Sequence, residues 1–341
     1  MTTFLKACRG EKTDYTPIWL NRQAGRYMPE YHKLKGNHTS LEFFTNPELA
    51  AQAALDAQRI LDVDAAIVFA DLLPLLIPMG LRLDYVPGTG PVFDNPIRDT
   101  KDVASLRPVP AQEGVGYIAD TVKNILQDLP TDVSLIGFAG APFTLAAYAI
   151  EGKGSQQYTY AKRFMYQHSD CWFTLLHKLS DAIIDYINLQ VESGVHAVQI
   201  FDSWVGCLSE VEYRNFVAPA TRKLFSGIRG EVPKIYFATG NQHLLSSMYE
   251  TGPDFLALDW RVSLRDSWGE IGCPAIQGNM DPIALCAEPD LACIHAKRIL
   301  DEVGGRPGHI FNLGHGIVPQ TPVDNAKALV EYVHSYVAQN S

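Results

Sequence analysis

Eight short apolar runs punctuate this chain, most of them separated by stretches of helical patterning. They are Ile18–Leu20, Ala65–Ala70, Val133–Phe138, Ala197–Phe201, Lys234–Ala238, Phe255–Leu258, Ala275–Gln277 and His309–Leu313. Runs this short read as buried strands. Parallel strands joined by helical crossovers close naturally into a (β/α)8 barrel. Local signals place several helices. Asn46 before Pro47 and Glu48 marks an N-cap within a helix over Phe43–Asp62. Helices are also expected over Tyr117–Leu129, Leu145–Glu151, Thr159–Gly194 with a break near Ser169, His243–Tyr249 and Asp290–Val303. Ser209-Glu210-Val211-Glu212 is a capping box that opens a helix to about Ile228. Thr321 caps, and Pro322 opens, the last helix. The Gly/Pro-rich segment Pro87–Pro91 reads as irregular connection, and Gly137–Thr144 as a glycine-rich turn. The 341 residues suit one barrel with enlarged loops at the C-terminal strand ends. No Pro/Ser-rich linker divides them, so a single domain over 1–341 is expected. An open doubly wound sheet is the alternative.

Charge and cysteine usage narrow the function classes. The net charge is −10 and no long Lys/Arg block occurs, which argues against a nucleic-acid or anionic-membrane surface. Any anionic ligand would have to be met by local arginines against that field. Met1–Lys12 is polar, with no apolar core of a secretory signal, and no apolar run approaches membrane-spanning length. Six cysteines are scattered without a CxxC pair, as in a reduced cytoplasmic protein with free thiols. No His-x-Cys or HExxH spacing occurs, and the glycine clusters Gly88–Gly90 and Gly152–Ser155 lack P-loop and Rossmann spacing. Neither a metal nor a nucleotide cofactor is expected.

The stretch Pro17–Tyr31 carries the clearest chemical signal. A strand-like run stops at Asn21, and Arg22 and Arg26 follow with Gly25 between them. Gly25 is expected to take a conformation closed to other residues, and Pro29 to prevent one continuous helix. Guanidiniums grip carboxylates or phosphates in bidentate fashion. Trp19, Tyr27 and Tyr31 suggest a lined pocket, although two surface arginines would read the same way. In a barrel the residues just past each strand face one cleft. These are Arg22, Arg26, Asp71, Gly140 with Tyr148, Asp202 and Ser203, Thr239, Asp259, Asn279 and His315. Each has a plainer reading. Asp71 serves as a turn cap, Tyr148 as a core residue, and Asp202 and Ser203 as caps where a loop opens. His315 lies between two glycines that permit close approach of a ligand, or simply shape a turn. His177 and His196 lie in core-like runs and read as structural.

The motifs themselves resemble the uroporphyrinogen decarboxylase family. Pro17-Ile-Trp-Leu-Asn-Arg-Gln-Ala-Gly-Arg-Tyr-Met-Pro-Glu-Tyr31 is similar to its N-terminal signature. Gly137-Phe-Ala-Gly-Ala-Pro-Phe-Thr-Leu-Ala-Ala-Tyr-Ala-Ile-Glu-Gly152 is similar to its second. Phe69–Asp71, Phe201–Trp204, Gln277–Pro282 and Phe311–Gly316 resemble further family segments in the expected order, so the likeness spans essentially the whole chain. The resemblance implies a (β/α)8 homodimer with facing clefts. It implies a carboxy-lyase that converts uroporphyrinogen III to coproporphyrinogen III without metal or organic cofactor, turning four acetate side chains into methyls. Carried over by position, the implied site is Arg22, Gln23, Ala24, Arg26, Asp71, Tyr148, Ser203 and His315, with Asp71, Arg22 and Tyr148 catalytic.

Three residues depart from the family pattern. Asn21 stands where Met is usual, which would make the pocket wall more polar. His32 stands where Arg is common and Lys35 where a second Arg often occurs. Two other readings need residues that differ from these. A zinc-dependent corrinoid methyltransferase of the same superfamily would need a His-x-Cys near the fifth strand's exit, where Tyr236-Phe-Ala-Thr-Gly240 stands instead. A non-catalytic tetrapyrrole-binding barrel would be favoured by loss of Asp71 or Arg22, and both are present.

Overall fold

Parallel strands and their crossovers set the geometry of the candidate site. The computed structural model describes residues 1–337. Its strands are β1 (Ala65–Ile67), β2 (Leu83–Val86), β3 (Gly90–Phe93), β4 (Ser134–Gly140), β5 (Ala197–Asp202), β6 (Lys234–Ala238), β7 (Phe255–Ala257), β8 (Ile276–Gln277) and β9 (His309–Ile310). Seven form one parallel sheet in the order β1-β4-β5-β6-β7-β8-β9. Their carboxyl ends therefore all lie on one side, and side chains just past them share that side.

The first expected strand is present only as a single pairing. Ile18 bridges to Phe311 in parallel. Phe311 N donates to the Pro17 carbonyl at 2.8 Å and Trp19 N to the Phe311 carbonyl at 3.3 Å. On the other flank, Asp64 N donates to the Ile18 carbonyl at 2.9 Å. The same short segment thus touches the backbone beside β9 and the backbone beside β1, the two edges of the curled sheet.

Local signals located the helices better than their limits. Asn46 does cap, accepting from Glu48 N and Leu49 N at 3.0 Å each. The helix over 43–62 is nevertheless two, Ser40–Thr45 and Pro47–Leu61, because a cap with extended backbone cannot lie inside a helix. The Ser209 capping box forms, but its helix ends at Phe216, and Ala218–Gly227 starts afresh with Pro219 in its first turn. A proline's missing N–H and ring are tolerated only there. The long stretch breaks at His168 into Thr159–Gln167 and Ser169–Ser193. Thr321 is not the cap of the last helix, which runs Val323–Ser335 behind Pro322 with no side-chain cap.

Two expectations fail for lack of long-range information. Pro87–Pro91 is not irregular throughout. It joins β2 and β3 as an antiparallel hairpin, turned through Gly88 at φ +77°. The expected turn at Gly137–Gly140 is instead the end of β4. A methyl group on Gly137 would lie 2.7 Å from Gln190 Oε1, and one on Gly140 2.8 Å from Leu145 Cδ2. Those glycines admit neighbouring side chains to the strand. The turn is only the step at Ala141 into the buried helix Pro142–Glu151.

A chain of buried polar groups crosses the inside of the sheet. Trp19 Nε1 donates to Gln277 Oε1 at 2.9 Å, Gln277 Nε2 to Gln199 Oε1 at 2.9 Å, and Gln199 Nε2 to Asn21 Oδ1 at 3.3 Å. Asn21 Nδ2 donates to the Leu313 carbonyl at 3.2 Å. Buried amides are tolerated because they satisfy one another. Asn21 is therefore a buried strut, not the polar pocket wall expected. No helix among the described residues is long and apolar enough to cross a membrane.

Candidate active site

Arg22 is the natural starting point of the candidate site, and its backbone is unusual. It has φ +62°, the left-handed region that side-chain-bearing residues rarely occupy. Gly25, expected to hold that conformation, is not among the left-handed residues. The glycine that serves Arg22 is distant in sequence. A methyl group on Gly316 would lie 2.4 Å from Arg22 Cδ and 2.7 Å from Cγ. The other glycine flanking His315, Gly314, faces the backbone of Trp260, 2.2 Å from where its methyl group would stand. The close approach around His315 is thus made by Arg22 and Trp260.

The Arg22 charge acts on three expected site residues at once. Burial raises the Asp71 pKa. The Leu73 amide, the Tyr85 hydroxyl, the Arg22 charge and the Leu72 amide oppose it. The Tyr148 hydroxyl is pushed up to about 12 by burial and by Asp71, with Arg22 again opposing. His315 is pushed down to about 4 by burial, then by Arg22 and Arg261. His315 Nδ1 accepts from Gly316 N at 2.7 Å. With the ring neutral, that assigns the proton to Nε2, which is left as a donor.

The remaining expected residues are placed as follows. Asp71 Oδ1 accepts from Leu73 N at 3.0 Å, so the turn cap exists beside the Arg22 charge. Tyr148 stacks on Trp204 with ring centres 3.7 Å apart. Ser203 stands half-buried past β5, and its carbonyl accepts from Thr239 Oγ1 at 2.8 Å. Arg26 is exposed; its carbonyl meets His32 Nε2 at 2.8 Å and its charge is felt by Tyr31. Gln23 is buried with its side chain bonded to the Ala65 carbonyl and Leu20 N. Ala24 lines a small crevice with Met28, Tyr31 and Leu34. Asp202, the last residue of β5, is buried. It accepts from Thr144 Oγ1 and Tyr236 OH at 2.7 Å each, and burial pushes its pKa up to about 6. Asn279 donates to the carbonyls of Asp259 and Val262. His196 is structural, as expected: its Nδ1 accepts from Leu135 N at 2.9 Å.

The uroporphyrinogen decarboxylase family model matches residues 1–336. The chain belongs to the uroporphyrinogen decarboxylase family. The uroporphyrinogen decarboxylase of Chloroflexus aggregans is 47% identical over 339 residues, covering 98% of this chain and 95% of that protein. That of Geobacter metallireducens is 47% identical over 333 residues, covering 97% of each. Among solved structures, a methyltransferase from Methanosarcina mazei superposes with TM-score 0.82 at 23% identity, covering 98% of both chains. A B12-independent methionine synthase from Shewanella sp. reaches 0.56 at 9% identity, over 84% of this chain and 87% of the other. At such identities the likeness concerns the fold alone.

Within this family member, the tyrosines around Asp71 escaped the sequence reading. Tyr85, Tyr117 and Tyr186 join Tyr148 there. Burial raises all of their pKa values, and the Asp71 charge adds to it. Tyr85 comes from the hairpin, and its buried hydroxyl lies near Asp71 without meeting full hydrogen-bond geometry with any described residue. Pro87-Gly88 was the available signal, a tight turn that would have paired β2 with β3 and pointed to Tyr85. Trp204 was visible in the motif Phe201–Trp204, but not its stacking. Among the described residues no three His, Cys, Asp or Glu side chains are grouped as metal ligands.

Proposed function

We propose that this chain decarboxylates the four acetate side chains of uroporphyrinogen III, giving coproporphyrinogen III and CO2 in tetrapyrrole biosynthesis. The observation that carries this reading is the Arg22 charge bearing on Asp71, Tyr148 and His315 together, in a chain of this family. A carboxylate leaves as CO2 only if its bonding electrons have a sink. Protonation of the adjacent pyrrole ring supplies one as an iminium cation. The bond between the methylene and the carboxyl carbon breaks, and its electrons neutralise the ring. A proton then adds to the methylene to make the methyl, and the ring proton is lost. The net change replaces one carboxylate by one proton.

In this scheme Asp71 accepts the converging ring N–H groups and stabilises the cation electrostatically. Burial works against its ionised form, so the Leu73 amide, Tyr85 and Arg22 matter because they hold the charge. Tyr148 donates to Asp71 or the substrate. Arg22 and Arg26 hold peripheral carboxylates, and Arg22 organises the proton donor. His315 offers a neutral Nε2–H to a carboxylate, with Ser203 beside it. Gln23 and Ala24 belong to the same signature; the buried Gln23 would serve through the loop it braces.

The finer architecture belongs to this reading as well. Pro17–Leu20 acts as the eighth stave and closes the sheet into a (β/α)8 barrel; its hydrogen bonds to both sheet edges support this. One contiguous apolar cluster supports a single domain over 1–341. Six unpaired cysteines suit a cytoplasmic location, and the family signature suits a homodimer. The decisive test is turnover of uroporphyrinogen III under anaerobic, reducing conditions with exhaustive chelation. CO2 and coproporphyrinogen should form at an undiminished rate. Absence of turnover in the folded protein overturns the reading, and loss restored by zinc overturns its cofactor independence.

A further inference from the structure

Arg261 is held on the cleft side of the molecule by neighbours that leave most of its donors free. Its guanidinium lies over the Trp260 ring, 3.8 Å from the ring centre. Nη1 donates to Asp259 Oδ2 at 2.6 Å. That carboxylate is buried, and it also accepts from Gly240 N at 2.5 Å and Arg261 N at 2.8 Å. Its charge is therefore shared among three donors. A guanidinium offers five N–H donors in a rigid fork. Among the described residues one is engaged, and the side chain is 53% exposed. A fork fixed by a carboxylate at one edge and an indole beneath loses little freedom when it grips an anion.

The same element borders the site. The Trp260 ring meets His315 edge-on, ring centres 6.3 Å apart, and the Trp260 backbone packs on Gly314. The Arg22 side chain packs against Gly316, the next residue after His315. His315 thus lies near two guanidiniums, and both lower its pKa. We propose that Arg261 is a third carboxylate-binding arginine of the cleft, fixing a peripheral carboxylate of the substrate beside His315. This rests on the decarboxylase reading above and adds the group that positions the macrocycle on the β7–β9 side.

The test must avoid stranding a buried charge, since removing Arg261 alone leaves Asp259 without its cation. Arg261→Lys keeps a cation and loses the fork. The double variant Asp259→Asn/Arg261→Met removes both charges. For each, kcat and KM for uroporphyrinogen III are measured across ionic strength, with thermal melts as the folding check. The double variant should raise KM roughly 5–20-fold, with kcat within about threefold of wild type. Lys should raise KM less. The gap from wild type should close toward about 0.5 M salt, where screening is short-ranged. A merely structural Arg261 would lower melting temperature or kcat without a salt-dependent KM. Arg306 provides the control: it stacks on Trp268 at the same 3.8 Å but precedes β9, at the opposite strand end. Arg306→Met should leave KM unchanged. Folded Arg261 variants with wild-type KM overturn the assignment. A wild-type protein that releases no CO2 overturns the parent reading and this one together.

Discussion

At the scale of the residue, Arg22 and Asp71 carry the argument. A left-handed residue with a side chain costs on the order of 1–2 kcal/mol, so Arg22 at φ +62° must be held by its surroundings. Gly316 supplies the space. Gly316→Ala should therefore displace the Arg22 stem, because the new methyl group would stand 2.4 Å from Cδ. Turnover should fall at least about tenfold while the melting temperature moves little. Wild-type turnover in this variant would show that the Arg22 geometry is not needed. For Asp71, the rival roles separate cleanly. Asn can cap the turn at Leu73 N as Asp does, but it carries no charge to stabilise a cationic ring. Asp71→Asn should lose on the order of 100–1,000-fold in single-turnover CO2 release, and Asp71→Glu should retain more. Near-normal rates in a well-folded Asn variant would reduce Asp71 to a cap.

At the scale of the element, the helix Pro142–Glu151 positions Tyr148, and Thr144 ties that helix to β5. Thr144 Oγ1 donates to Asp202 Oδ1 at 2.7 Å, where both residues are fully buried. Thr144→Val keeps the shape and removes the donor. Leaving a buried carboxylate oxygen unpartnered costs about 1–3 kcal/mol, so denaturant unfolding should show a loss of that size. A smaller fall in turnover should accompany it, as Tyr148 loses its anchor. Unchanged stability would mean that Tyr236 alone suffices for Asp202. The helix was legible because its apolar run and the Gly152 stop are local. The hairpin of β2 and β3 was not, because its strands are half-exposed and short, and Gly/Pro composition alone does not distinguish a tight turn from a loop.

For the whole molecule, acid stability offers a test of burial. The His309 ring is buried, with Nε2 against the Gly278 carbonyl at 2.9 Å, and burial lowers its pKa from 6.5 to about 4. The unfolded chain binds this proton in that window and the native chain does not. The stabilising contribution is therefore present above about 6.5 and is lost as pH falls toward 4. Asp202 has the opposite sign. Burial raises its pKa from 3.8 to about 6, so its contribution is present below 3.8 and lost as pH rises through 6. Comparing wild type with His309→Gln isolates one proton. The stability difference should shift against wild type by about 1.4 kcal/mol per pH unit on acidification from 6.5 to 4. A difference independent of pH would place the imidazole in water.

The sequence by itself determined the order of the parallel strands, most of the helices between them, and the family. These follow from local periodicity, capping residues and contiguous motifs, each encoded within a few neighbouring positions. Only the tertiary structure decided that Gly316, not Gly25, accommodates Arg22, and that Asn21 braces the interior beside Gln199. It also brought Tyr85 to Asp71 and Arg261 to His315. The partners in each case lie far apart in the chain, except where they share a loop. Which side chains meet there depends on how twisted strands bring their ends together, and no spacing along the chain encodes that.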